Sequence, residues 1–348
     1  MTPPHDFASD NHAGVHPAVL AAIAAANEGH ADSYGADEVT ARMEELFRRH
    51  FGPDARTALV FNGSGANVVC LDASLRSFEA AICTETAHLH VDECGAPERI
   101  SGTKLLTVAT EHGKLSPADL EHWESRRGDE HTAQAGLVSI TQSTELGTVY
   151  APAEVSALAD AAHGLGMLVH VDGARLANAA ASLGASLRDL TTDAGVDLLS
   201  FGGTKNGLMF GEAVVILRPE LAPHLKFVRK QLLQLNSKMR FAAAQFEALL
   251  SRDLWLQNAR AANQMATRLE AAVAPLEAVR VVHPVEANAV FAQLDPAAID
   301  RLLAALPGEH PFHVWDSREN VVRWMCSWDT TPGDVDAFAA AVSAAVRS

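Results

Sequence analysis

The chain has 348 residues, 48% of them hydrophobic and 20% charged, which is typical of a globular protein with a sizeable core. Its net charge of −16 argues against nucleic acid as a partner, because phosphate contacts need clustered lysine and arginine. No stretch is apolar over the length of a membrane span, and the first dozen residues lack the basic start and apolar run of a signal peptide. We therefore expect a cytoplasmic protein without a membrane partner, whose four cysteines are free thiols.

Short apolar strands alternate with helical patterns over the first two thirds of the chain. The predicted strands are 59–61, 80–83, 104–108, 137–141, 168–171, 197–201 and 213–217. Helices are predicted at 68–74, 152–165 and 187–194. This alternation indicates parallel βαβ units with helices on both faces of the sheet, and such sheets bind ligands beyond the carboxyl ends of their strands.

The pattern changes near residue 250. A long helix is predicted at 255–276, then strands at 281–283, 289–294 and 321–324 and helices at 296–306 and 333–347. These elements are typical of a small α+β domain with an antiparallel sheet. We therefore expect an α/β protein of two domains. Residues 1–250 would form an N-terminal arm and a large domain with a mainly parallel sheet, and residues 251–348 the small domain.

A lysine and an aspartate stand at the ends of two predicted strands. Lys205 lies in Phe-Gly-Gly-Thr-Lys-Asn-Gly, where the glycines favour close backbone approach to a ligand over a surface turn. Asp172 lies in His-Val-Asp-Gly-Ala-Arg and by itself would also suit a helix cap. Together they match the needs of pyridoxal phosphate, because the amine forms a Schiff base and the carboxylate keeps the ring nitrogen protonated. Arg175, on the next turn, offers a planar fork for a substrate carboxylate.

The turn formed by Gly63, Ser64 and Gly65 follows a strand and precedes a helix. Such a turn directs backbone N–H groups at an anion, although ordinary strand–helix loops look similar. It matches neither G-x-G-x-x-G nor a Walker A loop, so a nicotinamide or nucleotide site is poorly supported.

Several histidines and arginines are further candidates. His88 follows a strand, and a histidine at this position is suited to stack on a flat cofactor or to transfer protons near neutral pH. A metal site with His90 and Asp92 is the less favoured alternative, because further ligands are not evident, and we expect no metal. Arg323 interrupts an apolar strand and needs an anion, either internal or on a substrate. Arg240 ends a basic stretch and is a candidate phosphate ligand, across a subunit boundary.

Further motifs occur at 7–11 (FASDN), 61–67 (FNGSGAN), 85–88 (ETAH), 92–98 (DECGAPE), 237–240 (SKMR) and 323–329 (RWMCSWD). With HVDGAR at 170–175 and FGGTKNG at 201–207, they resemble the low-specificity L-threonine aldolases, which are fold-type I pyridoxal phosphate enzymes. The resemblance runs almost from end to end of the chain. It implies the fold-type I architecture and a homotetramer with active sites shared between subunits.

The resemblance also implies residue roles. Lys205 would carry the cofactor, Asp172 would pair with the ring nitrogen, and His88 would stack on the ring and relay the proton of the substrate hydroxyl. The implied cofactor contacts are Gly63, Ser64, Gly65, His88, Asp172, Arg175, Thr204 and Lys205, with Arg240 from a partner subunit. The implied substrate contacts are Ser9, Arg175 and Arg323, with Tyr34 from a neighbouring subunit.

The implied reaction is a retro-aldol cleavage of L-threonine, L-allo-threonine and other β-hydroxy-α-amino acids to glycine and an aldehyde. Open alternatives are β-elimination, racemisation at Cα and a preference for phenylserine, while a regulatory pyridoxal-binding protein is disfavoured because Lys205 and Asp172 are both present. Glu145 stands where many family members have a second active-site histidine. The catalytic base is therefore His88, Glu145 or a phosphate-bound water.

Overall fold

Seven strands form the larger sheet of the computed structural model, which describes residues 5–308 and 311–347. They are β1 (Arg56–Val60), β2 (Glu79–Thr84), β3 (Lys104–Val108), β4 (Gln134–Thr141), β5 (Leu168–Gly173), β6 (Leu198–Gly202) and β7 (Glu212–Ile216). The spatial order is β1-β7-β6-β5-β4-β2-β3, and β7 alone runs against the other strands. The carboxyl ends of β1, β5 and β6 therefore meet at one edge of the sheet.

Helices cover both faces of this sheet. They are α1 (Pro17–Ala25), α2 (Glu38–Phe51), α3 (Gly63–Ser74), α4 (His88–Val91), α5 (Ala118–Glu124), α6 (Pro152–Gly164), α7 (Leu176–Leu183), α8 (Leu225–Gln231) and α9 (Met239–Leu250). The central strands are almost fully buried, as β6 and β7 are at every position, whereas the edge strands β1 and β3 are partly exposed. This explains the continuous apolar runs in the sequence. Within residues 5–308 and 311–347, no helix is both long enough and apolar enough to cross a membrane.

The prediction of a helix at 187–194 is wrong. The helix that follows β5 is α7, an alanine-rich segment that ends where Gly184 adopts a left-handed conformation with φ of 63°. Leu187, Leu190 and Ala194 are buried at a spacing that mimics one face of a helix. Their segment instead forms turns that end in a short 3₁₀ turn, so burial without a helical backbone produced the pattern.

The smaller sheet is antiparallel throughout. Its strands are β8 (Arg280–Val281), β9 (Ala289–Gln293), β10 (His313–Asp316) and β11 (Val321–Met325), in the order β10-β11-β9-β8. Helices α10 (Leu254–Val273), α11 (Pro296–Ala305) and α12 (Pro332–Arg347) pack with it. Strand β10 lies outside the predicted strands, because its sequence, His-Val-Trp-Asp, has a single aliphatic residue and is only partly buried.

Helix α10 joins the two cores. Trp255 and Ala259, near its start, belong to the core around the large sheet, whereas Leu269 and Val273, near its end, belong to the core of the small sheet. Phe7 of the N-terminal arm is also buried in the smaller core. The predicted division of the chain at residues 250 and 251 falls just before this helix and stays a prediction.

The cysteines are free thiols. Three of them are buried and one is exposed; the buried ones are Cys70, Cys83 and Cys326, and the exposed one is Cys94. Burial raises the pKa of the Cys70 thiol to about 12, so it stays protonated.

Candidate active site

A cavity of about 250 Å³ opens at the carboxyl edge of the large sheet. It is lined by six of the predicted site residues: Gly63, Ser64, His88, Asp172, Thr204 and Lys205. Seven further residues complete the lining: Asn11, Phe61, Asn62, Ala174, Ser200, Phe210 and Glu212. The strand order thus brings a candidate phosphate turn, a carboxylate, an amine and an imidazole from distant parts of the sequence to one place.

The candidate phosphate turn opens helix α3. Asn62 caps the helix, and its Oδ1 accepts a hydrogen bond from the Gly65 N–H at 2.7 Å. Among the residues that the structure describes, the N–H groups of Gly63 and Ser64 have no such cap, and they lie at the positive end of the helix, where an anion is stabilised. Gly65 serves the shape of the turn, because a Cβ there would lie 2.7 Å from the side chain of Gln234. Gln234 also fixes the turn by accepting from the Phe61 N–H at 3.0 Å.

Asp172 is the penultimate residue of β5 and is 5% exposed. Its Oδ1 accepts from the Ala174 N–H at 3.0 Å, and its Oδ2 accepts from Asn67 Nδ2 at 2.8 Å. Beneath it, the ring of His170 lies between two serine hydroxyls, at 2.9 Å from Ser139 Oγ and 3.0 Å from Ser200 Oγ. Burial lowers the pKa of His170 to about 4, so that ring is neutral at physiological pH.

Lys205 lies in the loop after β6. A Cβ at Gly202, the last residue of β6, would lie 2.4 Å from the carbonyl oxygen of Ala174, so the strand end before this loop approaches the turn after Asp172 as closely as only glycine permits. Burial lowers the pKa of the Lys205 amine, and the nearby positive charge of Arg175 lowers it further. A larger fraction of the amine is therefore unprotonated and able to attack a carbonyl group.

Glu212 is an acidic residue of the cavity that sequence reasoning missed. It begins β7, where it pairs with Val60 of β1 and Gly202 of β6, between the phosphate turn and the lysine loop. Its Oε2 accepts from the Gly203 N–H at 2.7 Å. Burial raises the pKa of Glu212 to about 7, against the effect of that hydrogen bond. Glu212 could have been predicted as a site residue, because it is the charged first residue of an otherwise apolar strand.

His88 is the first residue of α4 and lines the cavity. Its Nδ1 lies 2.9 Å from Glu93 Oε1, and this hydrogen bond raises the pKa of His88 despite its burial. The backbone N–H of His88 donates to Glu145 Oε1 at 2.9 Å. Glu145 is itself buried, which raises its pKa, and it lies behind the backbone of His88 instead of on the cavity wall.

The alternative metal ligands near His88 do not converge. His90 and Asp92 are both exposed. Across the part of the chain that the structure describes, no group of three or more His, Cys, Asp or Glu side chains is arranged to hold a metal ion.

Two arginines lie beside the N-terminal arm. Arg175 donates from Nε and Nη2 to the buried carboxylate of Asp10, at 2.7 and 2.8 Å. Arg323 donates to the carbonyl oxygen of Ala8 at 3.0 Å, and its Nε has no hydrogen-bond partner among the described residues. Burial lowers the pKa of Arg323 to about 10, and repulsion from Arg175 contributes to the shift. Ser9 lies between the two contacts, with its Oγ accepting from a backbone N–H at 3.2 Å.

Tyr34 and Arg240 lie away from this cavity. The Tyr34 N–H donates to the carbonyl oxygen of Ser237 at 2.9 Å, and its side chain is 50% exposed. Arg240 donates to the carbonyl oxygens of Glu28 and Gly29 and lines a separate hollow. Within one copy of the chain, therefore, neither residue reaches Lys205.

The fold and the site define a class of lyase. The sequence model of the family described as "Beta-eliminating lyase" matches residues 6–297. The "Low specificity L-threonine aldolase" of Pseudomonas aeruginosa is 46% identical to this chain over 93% of both sequences. The protein of the same name from Pseudomonas sp. (strain NCIMB 10558) is 42% identical over 98% of both. A solved structure of a threonine aldolase from Leishmania major is 29% identical, with a TM-score of 0.92, and covers 99% of this chain and 100% of that chain.

The chain therefore belongs to the beta-eliminating lyase family, in the group that contains the low specificity L-threonine aldolases. This finding confirms the resemblance that the motifs indicated. The similarity to the Leishmania major structure also confirms the predicted fold class, a mainly parallel α/β domain with a small antiparallel one.

Proposed function

We propose that this chain is a pyridoxal-phosphate-dependent aldolase that cleaves L-threonine, L-allo-threonine and related β-hydroxy-α-amino acids to glycine and an aldehyde. The observation that carries the proposal is one cavity lined by an amine of lowered pKa at Lys205, a carboxylate at Asp172 and the first residues of helix α3, Gly63 and Ser64. The names of the relatives support the substrate class.

The residues present fit pyridoxal phosphate. Gly63 and Ser64 suit its phosphate, Asp172 its ring nitrogen, Lys205 its aldehyde and His88 its ring face. When bound, the cofactor supplies a conjugated cation that delocalises the negative charge left on the α-carbon after the Cα–Cβ bond breaks. The two hydrogen bonds to Asp172 hold its carboxylate in place for this pairing.

Arg175 and Arg323 are suited to bind the substrate carboxylate. Arg323 has no carboxylate partner within residues 5–308 and 311–347, whereas Arg175 is already paired with Asp10. A bound carboxylate would relieve the repulsion between the two guanidinium groups and satisfy the unpartnered Nε of Arg323. Arg323 is therefore the main anchor in this proposal, and Ser9 lies on the segment between the two contacts.

His88 is the favoured base among the three candidates. Its ring lines the cavity, while Glu145 is engaged by the His88 backbone behind it. In the cleavage direction, His88 takes the proton of the β-hydroxyl group as the Cα–Cβ bond breaks, the aldehyde leaves, and a proton is returned to the α-carbon to give glycine. Glu145 acts on this step by fixing the first turn of α4.

A second copy of the chain is needed to complete the site in this proposal. Tyr34 and Arg240 would enter the cavity from a neighbouring subunit, in a homotetramer located in the cytoplasm. Their support is that both residues lie outside the cavity of their own copy. Mixing two inactive variants, Lys205→Ala and Arg240→Ala, should restore activity, because a hybrid assembly contains intact sites. No restoration would mean that Arg240 acts within its own subunit.

Product analysis tests the reaction. With L-threonine and added cofactor, we expect glycine and acetaldehyde in equal amounts, whereas ammonia and a keto acid would identify β-elimination instead. L-allo-threonine and phenylserine, in both enantiomers, define the preferred substrate. Lys205→Ala should lose both turnover and the visible absorbance of lysine-bound cofactor, and Lys226→Ala, which removes an exposed lysine, should lose neither.

A further inference from the structure

One side-chain amide joins two buried carboxylates beneath the cavity. Asn67, on the second turn of α3, donates from Nδ2 to Asp172 Oδ2 at 2.8 Å and to Glu93 Oε1 at 2.8 Å. An amide NH₂ group has two N–H bonds, so each carboxylate receives one. Asn67 is 1% exposed, and Asp172 and Glu93 are each 5% exposed, so water does not compete for these bonds.

Glu93 carries the network on to His88. The oxygen that accepts from Asn67, Oε1, also lies 2.9 Å from His88 Nδ1. The other oxygen, Oε2, has no hydrogen-bond partner in the described part of the chain. A single oxygen atom of Glu93 therefore receives both hydrogen bonds, in a side chain that is 0% exposed.

We propose that Asn67 and Glu93 are positioning residues that couple the carboxylate of Asp172 to the imidazole of His88. This inference rests on the proposed function, in which these two groups serve the cofactor ring and the substrate hydroxyl. Because the Glu93 carboxylate accepts a hydrogen bond from Nδ1–H, the lone pair of His88 lies on Nε2. Glu93 thereby fixes the tautomer in which His88 accepts a proton.

The charge of Glu93 also sets the proton affinity of His88. The hydrogen bond to Glu93 raises the pKa of His88, and the negative charge of Asp172 raises it further. Burial and the positive charge of Lys205 act in the opposite direction. Glu145 accepts a hydrogen bond from the backbone N–H of His88. On α4 itself and just after it, His90 and Asp92 are exposed and make no hydrogen bond to the ring in the described structure.

The variant Glu93→Gln removes the negative charge of residue 93 and keeps the shape of its side chain. Its amide oxygen can take the place of Oε1 and accept from both His88 and Asn67, while its NH₂ group takes the place of the unpartnered Oε2. The hydrogen-bonded arrangement then survives, and only the negative charge is lost. Glu85→Gln is the matched control, because Glu85 is exposed and lies three residues before His88.

The test measures the His88 pKa in the holoenzyme by NMR of its Cε1–H resonance, assigned with His88→Asn, together with the pH dependence of kcat/KM. Glu93→Gln should lower the His88 pKa and move the acidic limb of kcat/KM to lower pH by the same amount. Glu85→Gln should change neither. An unchanged His88 pKa in Glu93→Gln overturns the inference.

The two readouts keep this inference apart from the proposed function. A lowered His88 pKa with an unmoved kcat/KM profile supports the coupling of Glu93 to His88 but overturns the assignment of His88 as the base. Absence of glycine and acetaldehyde among the products overturns the proposed reaction, while the NMR titration still reports on the coupling.

Asn67→Ala tests whether the two carboxylates form one unit. Because Asn67 donates to both, its loss should raise the His88 pKa, since Glu93 then interacts with His88 alone. It should also raise the dissociation constant of pyridoxal phosphate by about tenfold, the effect of one hydrogen bond to a charged group. Asn178→Ala removes another buried amide, paired with Asn263 away from the cavity, and should move neither value. A change in only one of the two values in Asn67→Ala refutes the coupling.

Discussion

We predict that Asp10→Asn destabilises the protein by about 2–4 kcal/mol, whereas Asp336→Asn costs less than about 1 kcal/mol. Both aspartates accept two hydrogen bonds from one arginine. Arg175 binds Asp10 at 2.7 and 2.8 Å, and Arg268 binds Asp336 at 2.8 and 2.8 Å. The side chains are 15% and 1% exposed in the first pair and 47% and 58% exposed in the second. Burial is therefore the main difference between two pairs of the same geometry.

The magnitude follows from the electrostatics of Asp10. Burial alone would raise its pKa, but the charge and hydrogen bonds of Arg175 overcome this effect, with smaller contributions from Lys205 and Asn288, and lower the pKa from 3.8 to about 2. That shift corresponds to about 2.4 kcal/mol at neutral pH, because one pKa unit is worth about 1.4 kcal/mol. Removing one partner of a buried pair leaves the other charge uncompensated, which costs about 3–5 kcal/mol where measured. Both figures exceed the contribution of an exposed pair, about 0.2–1 kcal/mol.

Urea unfolding at pH 7 measures the difference, with all proteins at one protomer concentration because association adds to apparent stability. The folded-state pKa of Asp10 is lowered, so its contribution is fully present above about pH 4 and is lost as the pH falls towards 2. The advantage of the wild type over Asp10→Asn should shrink in that window. Equal losses for Asp10→Asn and Asp336→Asn at pH 7 would refute the argument from burial.

Three further predictions concern the same region. The folded-state pKa of Glu212 is raised from 4.5 to about 7, so stability should fall by about 3 kcal/mol as the pH rises through this interval, and Glu212→Gln should lack the decline in urea titrations. Gly202→Ala should destabilise by about 1–3 kcal/mol or more, because its Cβ would lie 2.4 Å from a backbone oxygen, whereas Gly63→Ala, with nothing within 4 Å, should change thermal stability little. Arg323→Ala should raise KM for L-threonine by about tenfold or more, the effect of a charge-assisted hydrogen bond. An unchanged KM, or an equal change in the exposed Arg318→Ala, would contradict the role of Arg323.

The sequence predicts most strands of the large sheet well because they are short apolar runs between turns. Strand β1 is the exception: it begins at Arg56, three residues before the predicted strand at 59–61, because Arg56 and Thr57 interrupt the apolar run. Buried parallel strands need no other signal. Hydrophobic periodicity does not predict the backbone conformation where buried side chains lie on turns. This is the case at 187–194. The sequence also does not predict that β7 is antiparallel, because a buried parallel strand and a buried antiparallel strand have similar apolar sequences.

The candidate site is only partly accessible to sequence reasoning. Lys205 and Asp172 can be predicted because strand ends meet at one edge of a parallel sheet. Their supporting partners cannot, because those contacts join residues far apart in the chain. Asn67 lies 105 positions before Asp172, and Asp10 lies 165 positions before Arg175. Sequence shows the polar residues, but the fold alone decides which of them pair.

The N-terminal arm explains how two arginines from different domains come to face one another. Ala8 accepts from Arg323 of the small domain, and Asp10, two residues later, binds Arg175 of the large domain. Phe7 fastens the arm by accepting from the Met325 N–H at 2.8 Å. Two residues of extended chain span only about 7 Å, so both guanidinium groups are held against one short segment. A displacement of the small domain that separated the arginines would have to break one of these contacts. The spacing of the two guanidinium groups, on which the proposed carboxylate binding depends, is therefore set by the arm and not by either domain alone.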